Sequence, residues 1–394
     1  MLSVFNPKAK LWLDGRKDFP SLTFTPSKTI WVHCASLGEF EQGRPVIEKI
    51  KDQYPESKII LTFFSPSGYT VQQNYTGADA VFYLPMDNKA NAIKLIATFK
   101  PALVIWVKYE YWFYYLQELK KQQIPVLLVS GIFRDSQPFF KWYGSFWKSV
   151  LPCFTHLFLQ DKSSAILLNS IGINNNITVN GDTRFDRVIA IAERFEEIPL
   201  IKEFCGDSKI IVAGSTWEED EAELIHYVRT NPTIKFIIAP HEIDTENLKE
   251  VQKEFSGSIL FSALVEGEKP SSNVLIIDNV GMLSRLYKYA DITYIGGGFG
   301  DDGVHNVLEA AVYGKPVIYG PEIDKFIEAV ALTACGGGIV INNALEFEKV
   351  AGDLWKNSDL LTAKGYAAKN YVYSQGGASK EIMDYIYANR LLTN

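Results

Sequence analysis

The sequence predicts an α/β protein with two parallel β-sheets covered by helices, and three observations lead to this prediction. Apolar runs of strand length recur with helical segments between them, the pattern of parallel sheets that are buried on both faces. The chain has 394 residues, more than one hydrophobic core usually serves. The alternation weakens over an acidic, proline-containing stretch at 190–207, where we place the domain boundary.

Seven strands are predicted on each side of this stretch. The first set is Thr29–His33, Lys58–Phe64, Ala80–Leu84, Ala102–Val107, Pro125–Ser130, Thr155–Gln160 and Ile177–Asn180. The second set is Lys209–Gly214, Ile234–Ala239, Ser258–Phe261, Val274–Asp278, Ile292–Gly296, Pro316–Tyr319 and Gly338–Ile341. The predicted domains are 1–195 and 196–378, and 379–394 is predicted to be an amphipathic helix that packs back towards the first domain.

Composition limits the class of protein. The four cysteines are far apart and form no CxxC pair, which argues against a zinc ribbon or a disulfide framework and favours a reducing compartment. Residues 1–190 carry a net charge of +6 and residues 191–394 a net charge of −13. The basic first half suggests an anionic partner, either a surface or a phosphorylated molecule. Nucleic acid is disfavoured because no Lys/Arg cluster accompanies the aromatic residues.

The stretch from Asp291 to Pro321 combines a strand, a glycine loop, a helix start and a second strand. Gly296–Gly298 allow the backbone to approach a ligand closely. A helix that begins near His305–Asn306 would point free N–H groups at a phosphate. The stretch therefore predicts a nucleotide-phosphate site, although an ordinary strand–loop–helix joint stays open, and it matches neither GxGxxG nor the P-loop pattern.

Two glutamates follow strands of the first domain. Glu39 stands at the start of a helix after Ser36–Leu37–Gly38, where it is either a general base or a complement to the helix dipole. Glu110 follows the fourth strand, where it either binds an acceptor hydroxyl or lies at the surface among packed aromatics.

Polar residues also follow strands of the second domain. Ser215 and Thr216 precede an acidic helix and are N-caps first, although their hydroxyl and N–H groups could grip a phosphate. His241 closes the next strand and is predicted to lie near a ligand. Glu309 lies one turn beyond Asn306, where its carboxylate could accept bonds from both hydroxyls of a ribose.

An aromatic segment at 138–154 holds seven aromatic residues with Lys141 and Lys148 between them. Tryptophan and tyrosine beside lysine are typical of a helix at a membrane interface. The alternative is that these aromatics pack into the core.

The chain resembles the 3-deoxy-D-manno-octulosonic acid (Kdo) transferases, which add Kdo from CMP-Kdo to a lipid A precursor in lipopolysaccharide synthesis. The resemblance spans nearly the whole chain and rests on nine motifs in order: WVHCASLGEF (31–40), FFSPSGY (63–69), YLPMD (83–87), KYEYW (108–112), VSGIFRD (129–135), NGDTRFD (180–186), AGSTWEEDE (213–221), the IGGGF strand end and GVHNVLEAAVYGKPVIYGP (303–321).

This resemblance implies a GT-B fold, in which two Rossmann-like domains face each other across a cleft. It implies that the first domain binds the acceptor and the second the nucleotide sugar. By this likeness Glu39 is the general base of an inverting transfer, and Glu110 is a second carboxylate in the acceptor cleft. Residues matching the CMP site are Gly297, Gly298, Gly303, His305, Asn306 and Glu309, with Ser215, Thr216 and His241 beside them. The implied reaction needs no cofactor or metal, and we see no Asp-x-Asp motif.

Two departures from the family pattern stand out. The family's Pro-Arg-His is replaced by Pro240–His241–Glu242, and Arg184 and Lys315 are the candidates to compensate for the missing arginine. The family's N-terminal membrane helix has no counterpart, because Met1–Leu2 opens directly on a polar stretch. We therefore expect peripheral attachment to the anionic cytoplasmic face of the inner membrane, with the anchor missing from this sequence.

Two alternatives remain open at this point. One is another GT-B enzyme that uses a UDP-sugar, either a transferase or an epimerase. The other is a non-catalytic nucleotide- or glycolipid-binding protein of the same fold.

Overall fold

The protein is described from a computed structural model that covers residues 7–268, 272–301 and 303–392, without the side chains of residues 7 and 8. Met1 and Leu2, which open the sequence, and the loop residue Asp302 lie outside the described residues. Within them, no helix is long and apolar enough to cross a membrane.

The structure contains strands at all fourteen predicted places, and the neighbouring strands described in both sheets pair in parallel. The strands of the first sheet are β1 (Thr29–Cys34), β2 (Lys58–Phe63), β3 (Ala80–Tyr83), β4 (Pro101–Val107), β5 (Val126–Gly131), β6 (His156–Leu159) and β7 (Ile177–Val179). Those of the second are β8 (Lys209–Thr216), β9 (Ile234–Pro240), β10 (Ile259–Leu260), β11 (Val274–Ile276), β12 (Ile292–Ile295), β13 (Val317–Tyr319) and β14 (Gly338–Val340).

The strand orders are β3-β2-β1-β4-β5-β6-β7 and β10-β11-β9-β8-β12-β13-β14. In the first sheet the chain winds outwards from β1 to β3 and then returns to wind outwards in the other direction from β4 to β7. In the second sheet it runs from β8 to β9, forms the edge strand β10, inserts β11 between β9 and β10, and then returns to wind outwards in the other direction from β12 to β14. The reversal lies between β1 and β4 in the first sheet and between β8 and β12 in the second. In open parallel sheets, ligands bind outside the carboxyl ends of the strands at such a reversal.

Helices connect the strands. They are α1 (Pro7–Asp14), α2 (Leu37–Gln53), α3 (Pro66–Gln72), α4 (Lys89–Phe99), α5 (Phe113–Lys121), α6 (Ser145–Lys148), α7 (Lys162–Ser170), α8 (Thr183–Glu193), α9 (Pro199–Cys205), α10 (Glu218–Thr230), α11 (Thr245–Glu254), α12 (Phe261–Val265), α13 (Leu283–Leu286), α14 (Leu308–Ala311), α15 (Ile327–Ala334), α16 (Ala344–Lys356), α17 (Ser358–Ser374) and α18 (Ala378–Ala388). Short 3₁₀ turns occur at Pro138–Phe140, Leu151–Cys153 and Tyr287–Tyr289.

The first sheet has an apolar core on each face. Along β1, Trp31 belongs to the cluster on one face, while Ile30 and Val32 belong to the cluster on the other. Successive side chains of a strand point to opposite faces, and both faces are covered here, so every residue of β1 is buried. The second sheet has its own cluster, which includes Ile211, Phe236 and Tyr294.

The chain divides into two units that differ from the predicted domains in their boundary. The first unit comprises residues 1–187 and 375–394, and the second comprises 188–374. The division falls inside α8 rather than at residue 195, because this helix continues past the end of the first unit. The acidic stretch that suggested the boundary coincides with the end of α8. It does not coincide with the point where the chain passes from one unit to the other.

The C-terminal helix α18 belongs to the first unit. Ile382, Met383 and Ile386 are fully or almost fully buried in the same cluster as residues of α2. Burying such side chains contributes roughly 1.5–3 kcal/mol each. Asp186 fixes the approach to α18, because its two carboxylate oxygens accept from the N–H groups of Gly377 and Ser379, both at 2.6 Å.

Candidate active site

The sequence-predicted carboxylates of the first unit follow the two strands that flank the sheet reversal. β1 and β4 are hydrogen-bonded neighbours, with His33 opposite Trp106. Glu39 comes after β1 and Glu110 after β4. The topology therefore places both residues at the edge where this class of sheet binds ligands.

Glu39 occupies the first turn of α2, where it closes the helix start. Its Oε2 accepts from the backbone N–H of Ser36 at 3.1 Å and also from the Ser36 hydroxyl. The described residues provide no hydrogen-bond partner for Oε1. The half-buried carboxylate is thus oriented through one oxygen, and the other is left to accept a proton.

Glu110 lines a cavity of about 510 Å³ that is otherwise largely aromatic. Its side chain is 18% exposed, and Oε2 lies 3.7 Å from Nε2 of the buried His33. The other lining residues are Met86, Asp87, Tyr109, Tyr111, Trp112, Phe113, Tyr114, Phe146 and Trp147. A carboxylate in such a cavity can bind a hydroxyl while the aromatic walls cover an apolar group.

Lys108 is a basic residue near Glu39 that sequence reasoning had not selected. Burial lowers the pKa of Lys108, the charge of Arg184 lowers it further, and the charge of Glu39 opposes both. Arg134 also acts on Lys108. Lys108 has a φ of +66°, which is uncommon for a residue with a side chain and marks a constrained backbone. The available signal was the position of Lys108 directly after β4, within the quoted KYEYW motif.

The predicted glycine loop of the second unit follows β12, which pairs with β8 at the reversal. Gly297 and Gly303 have φ values of +89° and +77°. A side chain on Gly297 would overlap the carbonyl oxygen of Gly303, and one on Gly298 would lie 2.6 Å from the backbone nitrogen of Gly320. These close backbone approaches require glycine and make the loop compact.

Three aromatic rings lie beside this loop. Trp217 donates from Nε1 to Nε2 of His305 at 2.9 Å, and the two rings are within 13° of parallel. The exposed His241 stacks on both, with ring centroids 4.4 Å from Trp217 and 4.5 Å from His305. Since His305 Nε2 accepts a hydrogen bond, Nδ1 carries the proton of the neutral ring.

Asp220 is a buried residue that sequence reasoning missed, and it ties the loop to its surroundings. Its carboxylate accepts from the N–H of Gly297 at 2.7 Å, from the Tyr294 hydroxyl at 2.7 Å and from the N–H of Trp217 at 3.0 Å. Burial raises the pKa of Asp220, and these hydrogen bonds oppose that rise. The signal in the sequence was an acidic residue three positions after Trp217, where a capping box places one.

The N-cap interpretation of Ser215 and Thr216 is wrong. β8 continues through both residues, and Trp217 is the N-cap of α10. Thr216 is buried and donates to Glu221, whose pKa burial raises to about 7. Ser215 has a φ of +53°, which lets its carbonyl lie against Gly296. A strand that carries glycine and serine at its end resembles a helix start in sequence, which explains the error.

The helix predicted near Asn306 is much shorter than expected. α14 begins at Leu308 and lasts four residues, so the helix dipole contributes little at this place. Asn306 accepts from the N–H of Leu308 at 3.3 Å and donates to Glu309 at 3.0 Å. The neutral amide of Asn306 and the carboxylate of Glu309 are therefore hydrogen-bonded to each other next to the glycine loop.

The two residues considered as substitutes for the missing arginine belong to different units. Arg184 belongs to the first unit, where it donates from Nε and Nη2 to Asp182 at 2.9 and 2.8 Å. Burial lowers the pKa of Lys315, whose charge interacts with that of Asp291. Lys315 precedes β13 and therefore lies at the amino end of the sheet, opposite the edge that carries the glycine loop.

The aromatic segment at 138–154 is divided between core and surface. Phe139 and Phe154 are buried, whereas Trp142 is 96% exposed and Tyr143 is 56% exposed. Phe146 is exposed too and stacks on Phe113 at the cavity beside Glu110. The core interpretation holds for Phe139 and Phe154, and contact of the exposed residues with a membrane stays a prediction.

Among residues 7–268, 272–301 and 303–392, no group of three His, Cys, Asp or Glu side chains is arranged to hold a metal ion.

Comparisons with known proteins agree with the motifs. The family model for 3-deoxy-D-manno-octulosonic-acid transferase (Kdo transferase) matches residues 13–187. A bifunctional glycosyltransferase/methyltransferase from Fusobacterium nucleatum is 26% identical over 91% of this chain, which spans only 58% of that protein. A 3-deoxy-D-manno-octulosonic acid transferase from Aquifex aeolicus is 27% identical over 89% of this chain and 91% of its own length.

A solved structure shows the same fold. The UDP-GlcNAc 2-epimerase from Neisseria meningitidis superposes with a TM-score of 0.63 at 17% identity and covers 91% of this chain and 100% of its own. This likeness concerns the fold alone, and it confirms the predicted GT-B class. Along most of its length the chain is similar to curated Kdo transferases, and its residues 13–187 match the Kdo transferase family model.

Proposed function

We propose that this protein is an inverting glycosyltransferase that moves Kdo from CMP-Kdo to a lipid A precursor in lipopolysaccharide biosynthesis. The observation that carries this proposal is the chemistry at the two sheet reversals. The first has a carboxylate, Glu39, with one oxygen left to accept a proton. The second has a compact glycine loop with neutral polar groups beside it.

Glu39 is the general base in this proposal. It removes the proton from an acceptor hydroxyl while the oxygen attacks the anomeric carbon of Kdo, and the bond from that carbon to the CMP phosphate breaks. Attack from the side opposite the leaving group inverts the anomeric centre. Lys108 and Arg134 supply positive charge near Glu39, which suits a phosphorylated acceptor.

The second unit holds CMP in this proposal. The leaving phosphate already bears negative charge, so backbone N–H groups of the glycine loop and the side chains of Asn306 and His305 stabilise it without a metal. Glu309 binds the ribose hydroxyls. No cofactor takes part, because the donor brings its own activated bond.

The cavity beside Glu110 supports a glycolipid acceptor. Its aromatic walls are continuous with exposed Phe146 and Trp147, so a molecule with both sugar and apolar parts finds partners for each. Glu110 binds a sugar hydroxyl at the polar end of this cavity.

Nucleotide protection tests the donor assignment. CMP should raise the melting temperature of the protein, because a ligand at 100 times its Kd stabilises the native state by roughly 2.7 kcal/mol. UDP at the same concentration should give a much smaller shift. Protection by UDP but not CMP would favour a UDP-sugar enzyme. Protection by neither would contradict the assignment of the glycine loop as a nucleotide site.

We further propose peripheral attachment to the anionic cytoplasmic face of the inner membrane. The net charge of +6 over residues 1–190 and the exposed Trp142 and Tyr143 support it, since basic and aromatic groups together bind anionic lipid surfaces.

Vesicle binding tests this attachment. Binding to vesicles that contain anionic lipid should weaken several-fold between about 50 and 500 mM salt, because salt screens the basic half. Trp142→Ser should weaken it further. Val280→Ser is the matched control, because Val280 is 87% exposed in the second unit. Binding that does not change with salt and is the same in Trp142→Ser would contradict the contributions of both the basic charge and the exposed aromatic residues.

A further inference from the structure

A line of buried polar groups runs beneath Glu110. Trp31, Thr62 and His33 are all 0% exposed, and they lie on the paired strands β1 and β2. Trp31 Nε1 lies 2.8 Å from Thr62 Oγ1, and Thr62 Oγ1 lies 2.9 Å from His33 Nδ1. The line ends at His33 Nε2, which lies 3.7 Å from Glu110 Oε2.

The direction of these hydrogen bonds follows from their chemistry. An indole N–H can only donate, so the Thr62 hydroxyl accepts from Trp31 and has its own proton to give. Two acceptors lie within reach, His33 Nδ1 at 2.9 Å and the Val32 carbonyl at 3.4 Å, and the first has the better distance. When Nδ1 accepts this proton rather than donating to the Thr62 carbonyl oxygen at 3.1 Å, the neutral ring carries its own proton on Nε2.

A proton on His33 Nε2 faces the carboxylate of Glu110, which has an oxygen to accept it. His33 Nε2 and Glu110 Oε2 are both buried, and neither has another hydrogen-bond partner among the described residues. Leaving buried polar atoms unpaired is unfavourable, because neither water nor protein replaces the lost hydrogen bond. A separation of 3.7 Å is longer than a hydrogen bond, but such contacts often shorten only when substrate binds.

We propose that His33 is a positioning residue for Glu110. Its Nε2–H donates to Glu110 Oε2 and holds the carboxylate so that Oε1 meets the acceptor hydroxyl in the cavity. The Thr62 hydroxyl maintains this arrangement by keeping Nδ1 free of a proton. The inference rests on the proposed function for its effect on turnover, but the position of the proton on His33 is independent of it.

Thr62→Val and Thr62→Ser form a matched pair of variants. Valine keeps the shape and removes the hydroxyl, whereas serine keeps the hydroxyl. In Thr62→Val, which lacks the hydroxyl, the His33 ring is expected to carry its proton on Nδ1. The backbone carbonyl oxygen of residue 62 lies 3.1 Å from Nδ1 and can accept this proton. Nε2 then faces the carboxylate without a proton, and the two acceptors repel each other.

The position of the proton can be read by nitrogen NMR of the histidine rings. The chain has only 5 histidines, so the His33 signal can be assigned by replacing the others in turn. We expect a neutral ring protonated on Nε2 in the wild type and in Thr62→Ser, and on Nδ1 in Thr62→Val. A wild-type ring protonated on Nδ1 would overturn the inference whether or not the protein transfers Kdo.

Turnover gives the second readout. Thr62→Val should lower kcat on the order of 10- to 100-fold, as misplacement of a substrate-binding group does, with Thr62→Ser close to the wild type and CMP protection unchanged in both. Equal turnover of the two variants, with the proton on Nε2 in the wild type, would show that His33 does not position Glu110 for the reaction. Absence of transfer by the wild type would instead contradict the proposed function.

Discussion

Glu39→Ala is expected to abolish measurable Kdo transfer and to leave CMP binding intact. Loss of a general base typically costs about 10²–10⁴-fold in rate. The alanine variant also loses the hydrogen bonds that Glu39 accepts from Ser36, which cap α2. Turnover with CMP-Kdo and the CMP-induced rise in melting temperature are the two measurements.

Two further variants separate catalysis from capping. Glu39→Gln keeps an oxygen that can accept from Ser36 but has little basicity, so its turnover should fall as far as that of Glu39→Ala while its stability stays closer to the wild type. Glu41→Gln changes a neighbouring carboxylate that pairs with Arg44 and Arg187, and its turnover should change little. Wild-type turnover in Glu39→Gln would remove Glu39 from the mechanism.

Gly298→Ala is expected to damage the donor site and the stability of the second unit together. Its new methyl group would lie 2.6 Å from the backbone nitrogen and 2.8 Å from the Cα of Gly320, and backbone atoms cannot move aside cheaply. Overpacking of this kind costs typically about 1–3 kcal/mol, which corresponds to a fall of roughly 3–10 °C in melting temperature. CMP protection should weaken as the loop shifts.

Gly300→Ala is the matched control in the same loop. A methyl group there meets its nearest neighbour, the carbonyl oxygen of Gly297, at 3.9 Å, and the glycine does not have a positive φ. Its melting temperature and CMP protection should stay near those of the wild type. If both variants behave alike, the close approach of Gly298 to Gly320 is not what shapes the loop.

The fold could be predicted from the sequence because its strands are buried on both faces. β4 is continuously apolar and β1 has three apolar residues in a row, so neither depends on long-range contacts to be recognised. The boundary at 195 was missed because α8 crosses from one unit to the other with no change in local pattern. Local patterns report local structure, whereas a domain boundary depends on which distant residues pack together.

The candidate site was predictable only where a residue follows a strand. Glu39, Glu110 and the glycine loop all do, and the topology of a parallel sheet then places each of them at the carboxyl edge of its own sheet. Asp220 and Thr62 were missed because their roles depend on partners far along the chain, Gly297 for the first and His33 for the second. A buried aspartate inside an acidic run has no local sign that separates it from its solvated neighbours.

The central claim is tested most directly by incubating the protein with CMP-Kdo and a lipid A precursor and measuring the mass of the glycolipid. We expect an increase by one or more Kdo residues that depends on both substrates and on Glu39. An unchanged mass, with CMP-Kdo intact and the protein folded, would contradict it.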